Sequence, residues 1–392
     1  MRVKTWKQLT LNWSSMMVLL LAVVFLLQLA LGLQNTAFNN FANDIVGISP
    51  AQLGLVQSIR EVPGLLTVVL IGAVSFMSQS TVVGICGLLI SAGLVWFGLT
   101  TTFAQLIGAT LVLSIGFHML HPMQSAMILS GSEKGEKGLR MGQFSGAQAA
   151  ATLLAIGGVY LIAEWFTGRL YFQIIFWTAA VLAAAAAVLM LLQGDRQRAK
   201  IRMPAFVLRR QYMSFYVLRL LTASQRHVFN TFAIFLLVHE YGVTVQAVAV
   251  LMAASNGLAI FVRPAIGRLV DLWGTRATLI LGYAIATVTT LAYAFVAYLP
   301  ILYLAYTLGT LVTAMETAIT VHLDDIADDA DVAPSLAMGS TINHILGLII
   351  PVVGGALWSG IGYHATFTMG AMVTLVCVFY CTTLPRKPAA AG

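Results

Sequence analysis

Apolar segments of about 20 residues recur along the whole chain, and short polar breaks separate them. An α-helix of about 20 residues spans the roughly 30 Å hydrocarbon core of a bilayer. The pattern therefore predicts twelve membrane-spanning helices, and the even number places both ends of the chain on one side. The predicted spans are 16–38, 53–76, 81–101, 103–127, 142–165, 171–193, 213–238, 246–268, 276–298, 300–322, 336–358 and 363–384.

Composition supports a membrane protein. Hydrophobic residues make up 59% of the 392-residue chain and charged residues 9%, whereas a soluble domain carries about 25% charged residues. Too few charges are present to cover a surface in water, so the predicted environment is the lipid bilayer. The net charge of +7 is assigned to loops rather than to nucleic acid binding. The three cysteines fall in apolar runs, which argues against a disulfide framework.

The basic residues are distributed asymmetrically. If the N-terminus is cytoplasmic, the outer loops hold only Arg169. Basic residues concentrate in cytoplasmic loops, so we expect a multi-pass inner (plasma) membrane protein with both termini cytoplasmic. The inner loops then hold Arg2, Lys4, Lys7, Lys134, Lys137, Arg140, Arg196, Arg198, Lys200, Arg202, Arg209, Arg210, Arg268, Arg276, Arg386 and Lys387.

The chain divides into two similar halves. The basic stretch 195–210 lies between the sixth and seventh spans. We predict an N-terminal bundle at 1–194, a cytoplasmic linker at 195–212 and a C-terminal bundle at 213–392. Two doublets repeat at an offset of 197 residues: Met141-Gly142 with Met338-Gly339, and Gly157-Gly158 with Gly354-Gly355.

Two motifs resemble those of the Major Facilitator Superfamily. The segment GRLVDLWGTR at 267–276 resembles the loop motif G-x-L-a-D-r-x-G-r-r, and the glycines and proline of 347–355 resemble G-x-x-x-P-x-x-G-G. The resemblance covers the whole chain. It implies an all-α polytopic fold of twelve transmembrane helices in two six-helix bundles. It also implies a cytoplasmic conformational latch formed by Gly267, Arg268, Asp271 and Arg276.

The sequence also departs from the family pattern. The matching loop of the N-terminal half, residues 75–80, carries no charge. The fourth span lacks the arginine of many proton-coupled exporters, and the fifth lacks the glycine-proline motif of drug antiporters. Typical multidrug antiport is therefore not indicated.

Ionisable residues inside the spans are candidates for function, because a charge in hydrocarbon is costly. The acids are Glu61 and Glu316. Neighbouring residues of a helix point about 100° apart, so Arg60 and Glu61 are each expected to have another partner. Arg219 is expected to snorkel to the cytoplasmic surface. Arg226 lies near mid-membrane and is predicted to serve the substrate or a gate.

By the resemblance, the first, fourth, seventh and tenth spans line a central cavity. The alternative is that these polar side chains only hold helices together. A metal site at His118 and His121, at i and i+3, is a second alternative, while the primary expectation is no metal and no cofactor. The predicted substrate-binding residues are Gln28, Asn35, Arg60, His118, His121, Gln124, Gln148, Arg226, Asn230 and His344.

Glu61 and Glu316 are the predicted proton-coupling residues, since burial favours the protonated form of a carboxyl group. The alternative for each is a fixed ion pair with a membrane arginine. With Arg263, four arginines face two glutamates in the spans, which favours an anionic substrate.

No nucleotide-binding or hydrolase fingerprint appears in a fitting context, so we expect no enzyme activity. We predict a monomeric, proton-coupled exporter of a small, anionic solute, whose partners are its substrate and the bilayer. The alternatives are uptake of an organic anion or metal chelate, and a non-transporting sensor or assembly factor with the same fold.

Overall fold

The structure is a computed structural model that describes residues 14–133, 135–193 and 208–385. Some basic residues used for the predicted topology lie outside the described residues. They are Arg2, Lys4, Lys7, Lys134, Arg196, Arg198, Lys200, Arg202, Arg386 and Lys387, together with most of the predicted linker.

The described residues form helices and connecting loops, without a β-strand. A π-helical turn, Ala42–Val46, follows the first helix, and 3₁₀ turns lie at Arg210–Tyr212 and Thr313–Glu316. The α-helices are α1 Ser15–Phe41, α2 Pro50–Leu65, α3 Thr67–Ala73, α4 Gln79–Leu99, α5 Phe103–Ser130, α6 Lys137–Trp165, α7 Gly168–Leu192, α8 Met213–His239, α9 Val245–Phe295, α10 Leu299–Val312, α11 Thr317–Ile326, α12 Asp329–Ile361 and α13 Tyr363–Thr382.

The all-α polytopic architecture is confirmed. In the described part of the chain, nine helical segments are long and apolar enough to cross a membrane, and the bent pair α2 and α3 makes a tenth. Helix α9 has 51 residues, about 77 Å at helical rise, which is enough for two spans. Helix α8, with 27 residues, carries two arginines and completes the predicted twelve.

Three breaks interrupt the helices, and two of them fall at glycine or proline. Gly274, with φ 77°, interrupts α9 inside the polar motif, and glycine takes this conformation without a Cβ penalty. Helices α2 and α3 bend by 50° just after Pro63 and Gly64. The turn Thr313–Glu316 separates α10 from α11 and places Glu316 at a discontinuity inside a membrane segment.

The chain forms two compact units. The first comprises Met1–Ala37, Leu66–Thr100 and Gly108–Ile201, and the second comprises Phe38–Leu65, Thr101–Ile107 and Arg202–Gly392, as far as these ranges are described. Helix α2 belongs to the second unit because it packs along α12. The contiguous division into 1–194, 195–212 and 213–392 stays a prediction.

In the first unit, small residues bring helices close together. A Cβ added to Gly87 of α4 would lie 2.9 Å from Ala187 Cβ of α7. Ser91 Oγ donates to the Ala180 carbonyl at 2.8 Å. The alanine-rich sequence of α7 therefore serves backbone-to-backbone packing, as small residues do in membrane helices.

In the second unit, α2 and α12 meet at their backbones. A Cβ on Gly54 would collide with the Pro351 carbonyl, and one on Gly355 would lie 2.6 Å from the Pro50 carbonyl oxygen. Ala51 N donates to Ser359 Oγ at 3.1 Å. The glycines and proline of the motif at 347–355 therefore shape the contact between these two helices.

The acidic segment before α12 binds the described end of the linker. Asp331 is buried and accepts from Tyr212 OH at 2.8 Å. Arg209 Nη1 lies 2.8 Å from the same carboxylate oxygen of Asp331. Asp331 therefore ties the start of α12 to the described end of the linker, while Asp324 and Asp325 are exposed.

We predict that Gly355→Ala destabilises the protein, by about 1–3 kcal/mol, because the new methyl group would press on the α2 backbone. The matched control is Gly360→Ala on the same helix, where a Cβ meets no described atom within 4 Å. Thermal unfolding of the purified protein in detergent measures both. Equal unfolding midpoints for the two variants would contradict the close α2–α12 contact.

Candidate functional site

The central feature of the second unit is an ion pair inside the membrane segments. Arg226 of α8 lies 3.0 Å from Glu316 through Nη1 and Oε2, and its Nη2 donates to Asn343 Oδ1 of α12. The Arg226 and Glu316 side chains are 29% and 16% exposed. The planar guanidinium fork thus holds two acceptors from two other elements, a geometry suited to arginine.

A cavity of about 200 Å³ adjoins this pair. Arg219, Thr222 and Arg226 line it from one face of α8, at i, i+3 and i+7, where residues of a helix stack along one side. Ser340 and Asn343 line it from α12. The cavity is therefore polar and carries charge of both signs.

Arg219 lines this cavity, and its snorkelling to the cytoplasmic surface stays a prediction. Its Nη2 donates to Thr320 Oγ1 of α11 at 3.0 Å. Its guanidinium carbon lies 5.3 Å from the centre of the Phe215 ring. The hydroxyl and the ring hold the side chain beside the cavity, on the face of α8 that also carries Arg226.

A second polar cluster joins α2 to α12. Glu61 is buried, and its Oε2 lies 2.9 Å from His344 Nδ1. His344 is therefore the further partner expected for Glu61, but Arg60 Nη2 also lies 3.6 Å from Glu61 Oε1, so the two neighbours contact each other despite their diverging Cβ directions. The long arginine side chain reaches back across the angle between the two Cβ directions. For Glu61 as for Glu316, the structure shows the ion-pair alternative.

The two clusters share a short stretch of α12. His227 Nε2 lies 3.1 Å from the Asn343 carbonyl oxygen, so this nitrogen carries the proton and donates. Asn343 holds Arg226 through its side chain, and the next residue, His344, holds Glu61. A Cβ on Gly347 would lie 2.7 Å from Glu61 Cγ and 2.8 Å from His227 Cε1. The glycine therefore leaves the space in which α2 and α8 side chains approach α12.

The remaining predicted residues, most of them in the first unit, differ in burial and in hydrogen bonding. Gln28 Nε2 donates to Thr152 Oγ1 at 3.1 Å, and Gln148 is half-buried nearby on α6. Gln124 is buried. Asn35 is exposed, as is Asn230 in the second unit.

The two histidines predicted as an alternative metal site differ in environment. His118 is buried, and its Nδ1 lies 3.0 Å from Ser114 Oγ. His121 is exposed. Among the described residues, no group of three potential metal ligands includes His121. A two-histidine metal site therefore gains no support from the geometry around His121.

The predicted latch residues lie at the Gly274 break of α9. Gly267, Arg268 and Asp271 are exposed, and Arg276 Nη1 donates to the Leu384 carbonyl at 3.0 Å. A Cβ on Gly267 would meet no atom of the described residues within 4 Å. No close helix approach forms at Gly267 in this structure, and the latch stays a prediction.

Asn343 and Ser340 are site residues that sequence reasoning missed. They are three residues apart on α12 and so share one face of the helix, and the doublet Asn343-His344 is a polar interruption of an apolar run. This polar doublet is the signal in the sequence, but only its histidine is titratable, and so the prediction included His344 and not the neutral amide Asn343.

Comparisons with known proteins agree with this architecture. A search of curated protein sequences gave no match. The fold is similar to that of nucleoside transporter NupG, with TM-score 0.76, 14% identity, and 94% of this chain and 98% of that chain covered. It is also similar to a bacterial homologue of the human lysosomal transporter Spinster in an inward-facing and occupied conformation, with TM-score 0.75, 14% identity, and 99% and 100% covered.

A mutant of peptide transporter POT in complex with sulfate is a third similar structure, with TM-score 0.74, 12% identity, and 95% of each chain covered. At these identities the likeness shows the fold alone. The family is shown by sequence, because residues 20–210 and 215–392 match the model of the Major Facilitator Superfamily. The chain therefore belongs to the Major Facilitator Superfamily and is a multi-pass membrane transporter of a small solute.

Proposed function

We propose that the protein is a proton-coupled secondary transporter of a small anionic solute, with Arg226 as the anion-binding residue and Glu316 as the proton carrier. The observation that supports this most directly is the Arg226–Glu316 pair beside a polar cavity. Arginine forks bind carboxylates with two parallel hydrogen bonds. An anion in the cavity would therefore compete with Glu316 for the same guanidinium.

This competition couples the solute to a proton. Without solute, the Glu316 carboxylate neutralises Arg226. When a solute carboxylate takes its place, two negative groups would face one guanidinium unless Glu316 binds a proton. Burial of charge is costly, so the loaded site holds the solute anion and a neutral Glu316 carboxyl group. Solute and proton then enter and leave the site together.

Such coupling favours symport over the export first expected from the sequence. Because proton and anion travel in one direction, an inward proton gradient drives uptake, which was the second choice. We therefore propose uptake of an organic anion through the inner membrane, with both termini cytoplasmic. Transport of a small solute across a membrane follows from the family alone.

We propose that the Glu61–His344 contact acts with the α2–α12 packing as a gate and as a second proton-coupling point. Glu61 is buried between the arginine of its own helix and His344. A change of charge in this cluster would change the attraction between α2 and α12. Movement of α2 from α12 requires this contact to break.

Transport by purified protein in liposomes tests the proposal. We expect an inward proton gradient to drive accumulation of a labelled organic anion but not of a lipophilic cation. Glu316→Gln places a permanently neutral side chain at this position. The variant should therefore lose proton-driven accumulation and retain anion exchange across the membrane. Arg226→Ala should abolish both activities.

Arg263→Ala is the matched control, because Arg263 is an exposed arginine on α9 outside both clusters. Its transport should equal that of the unmodified protein. Preference for the cation, or proton-driven accumulation by Glu316→Gln, would overturn the proposed coupling.

The interaction between Arg226 and Glu316 should also be measurable as a coupling free energy in a double-mutant cycle of protein stability. Arg226→Ala leaves the Glu316 carboxylate without its guanidinium, whereas the double variant Arg226→Ala with Glu316→Gln removes both charges. We expect the double variant to be more stable than the sum of the single effects by about 1–3 kcal/mol. Additive shifts of the unfolding midpoint would show that the two side chains do not interact.

A further inference from the structure

The cavity beside Arg226 contains a second arginine, Arg219, and the two arginines share one lining acid, Glu316. Glu316 forms its direct contact with Arg226, at 3.0 Å, and acts on the Arg219 charge from further away. The groups that hold Arg219 directly, Thr320 and the Phe215 ring, are neutral. Two arginine charges therefore face one glutamate charge in the cavity lining.

Charge balance in the loaded site sets the charge of the solute. When Glu316 binds a proton, the cavity holds two arginine charges and no acid. A monoanion would neutralise one and leave the other facing a desolvated solute. A dianion neutralises both, and a charge buried without a partner is strongly unfavourable.

The spacing of the two arginines sets the separation of the negative groups. Arg219 and Arg226 are seven residues apart on α8, about 10 Å along the helix. Each guanidinium has its own partner, Thr320 for Arg219 and Glu316 for Arg226. Two separate anionic groups, one at each arginine, fit this arrangement.

The size of the cavity limits the length of the solute. Its volume of about 200 Å³ corresponds to roughly seven water molecules at about 30 Å³ each. A chain of about four or five carbons with a carboxylate at each end has this size. Ser340 and Asn343 on α12 supply neutral polar groups beside the space between the arginines.

We infer that the substrate is a small dicarboxylate dianion, with one carboxylate on Arg226 in place of Glu316 and the other on Arg219. This inference rests on the proposed function, because it uses the exchange of Glu316 for solute at Arg226. It adds the charge, the length and the second binding residue.

Anion exchange in liposomes tests it with succinate, butyrate and inorganic phosphate as probes. Succinate and butyrate have the same carbon number and differ in charge. The unmodified protein should exchange succinate about tenfold faster than butyrate at subsaturating concentration, since one charge-assisted contact supports a factor of this size. Phosphate should compete weakly, because it offers one compact anionic group and leaves much of the cavity of about 200 Å³ unfilled.

Arg219→Gln should reduce the preference for succinate over butyrate about tenfold, and Arg219→Lys, which keeps the charge, should retain most of it. Arg263→Gln is the surface control and should keep the preference of the unmodified protein. The selectivity of the unmodified protein decides the matter even if Arg219→Gln does not fold.

The outcomes distinguish a failure of the dicarboxylate inference from a failure of the proposed anion transport. Equal exchange of butyrate and succinate, or a preference for phosphate, overturns the dicarboxylate inference while anion transport stands. Unchanged selectivity in Arg219→Gln overturns the role of Arg219. If the protein exchanges no organic anion under a proton gradient, the proposed function itself is wrong.

Discussion

A guanidinium inside hydrocarbon needs a counter-charge, and this requirement organises the second unit. Arg226 satisfies it with Glu316 and with the Asn343 amide. The partner comes from the 3₁₀ turn between α10 and α11, where a regular helix is already interrupted. An ion pair between separate elements can open without unfolding either one, which a pair within one helix turn cannot do as freely. In the proposed mechanism, the contact that holds Arg226 without solute is therefore also the position at which the solute binds.

Helix α12 connects this pair to the α2 interface through adjacent residues. Asn343 contacts α8, and His344 contacts Glu61 of α2. Two turns further along, Pro351 and Gly355 meet the α2 backbone directly. Because one rigid helix carries all these contacts, a displacement that loosens α2 must also change the geometry around Arg226. This shared helix gives the site a physical route to the proposed gate.

The spans and two of the helix breaks could be predicted because hydrocarbon length, glycine and proline act locally in sequence. The break at Thr313–Glu316 lies inside the predicted span 300–322 and has neither glycine nor proline, so the sequence did not indicate it. The ion-pair partners were not predicted either. Arg60 contacts its neighbour Glu61 although the two Cβ directions diverge, and Arg219 contacts Thr320, which lies 101 residues later in the chain. The contact of Asn343 with Arg226 depends on the tertiary fold in the same way.

The two units differ in the chemistry they provide. Among the described residues, both membrane glutamates, Glu61 and Glu316, belong to the second unit. The predicted site residues of the first unit are neutral amides and histidines, such as Gln28 and Gln124. Amides bind by hydrogen bonds and do not titrate, whereas a carboxylate loses its charge when it binds a proton. The proposed proton-dependent step therefore uses the carboxylates of the second unit, Glu61 and Glu316.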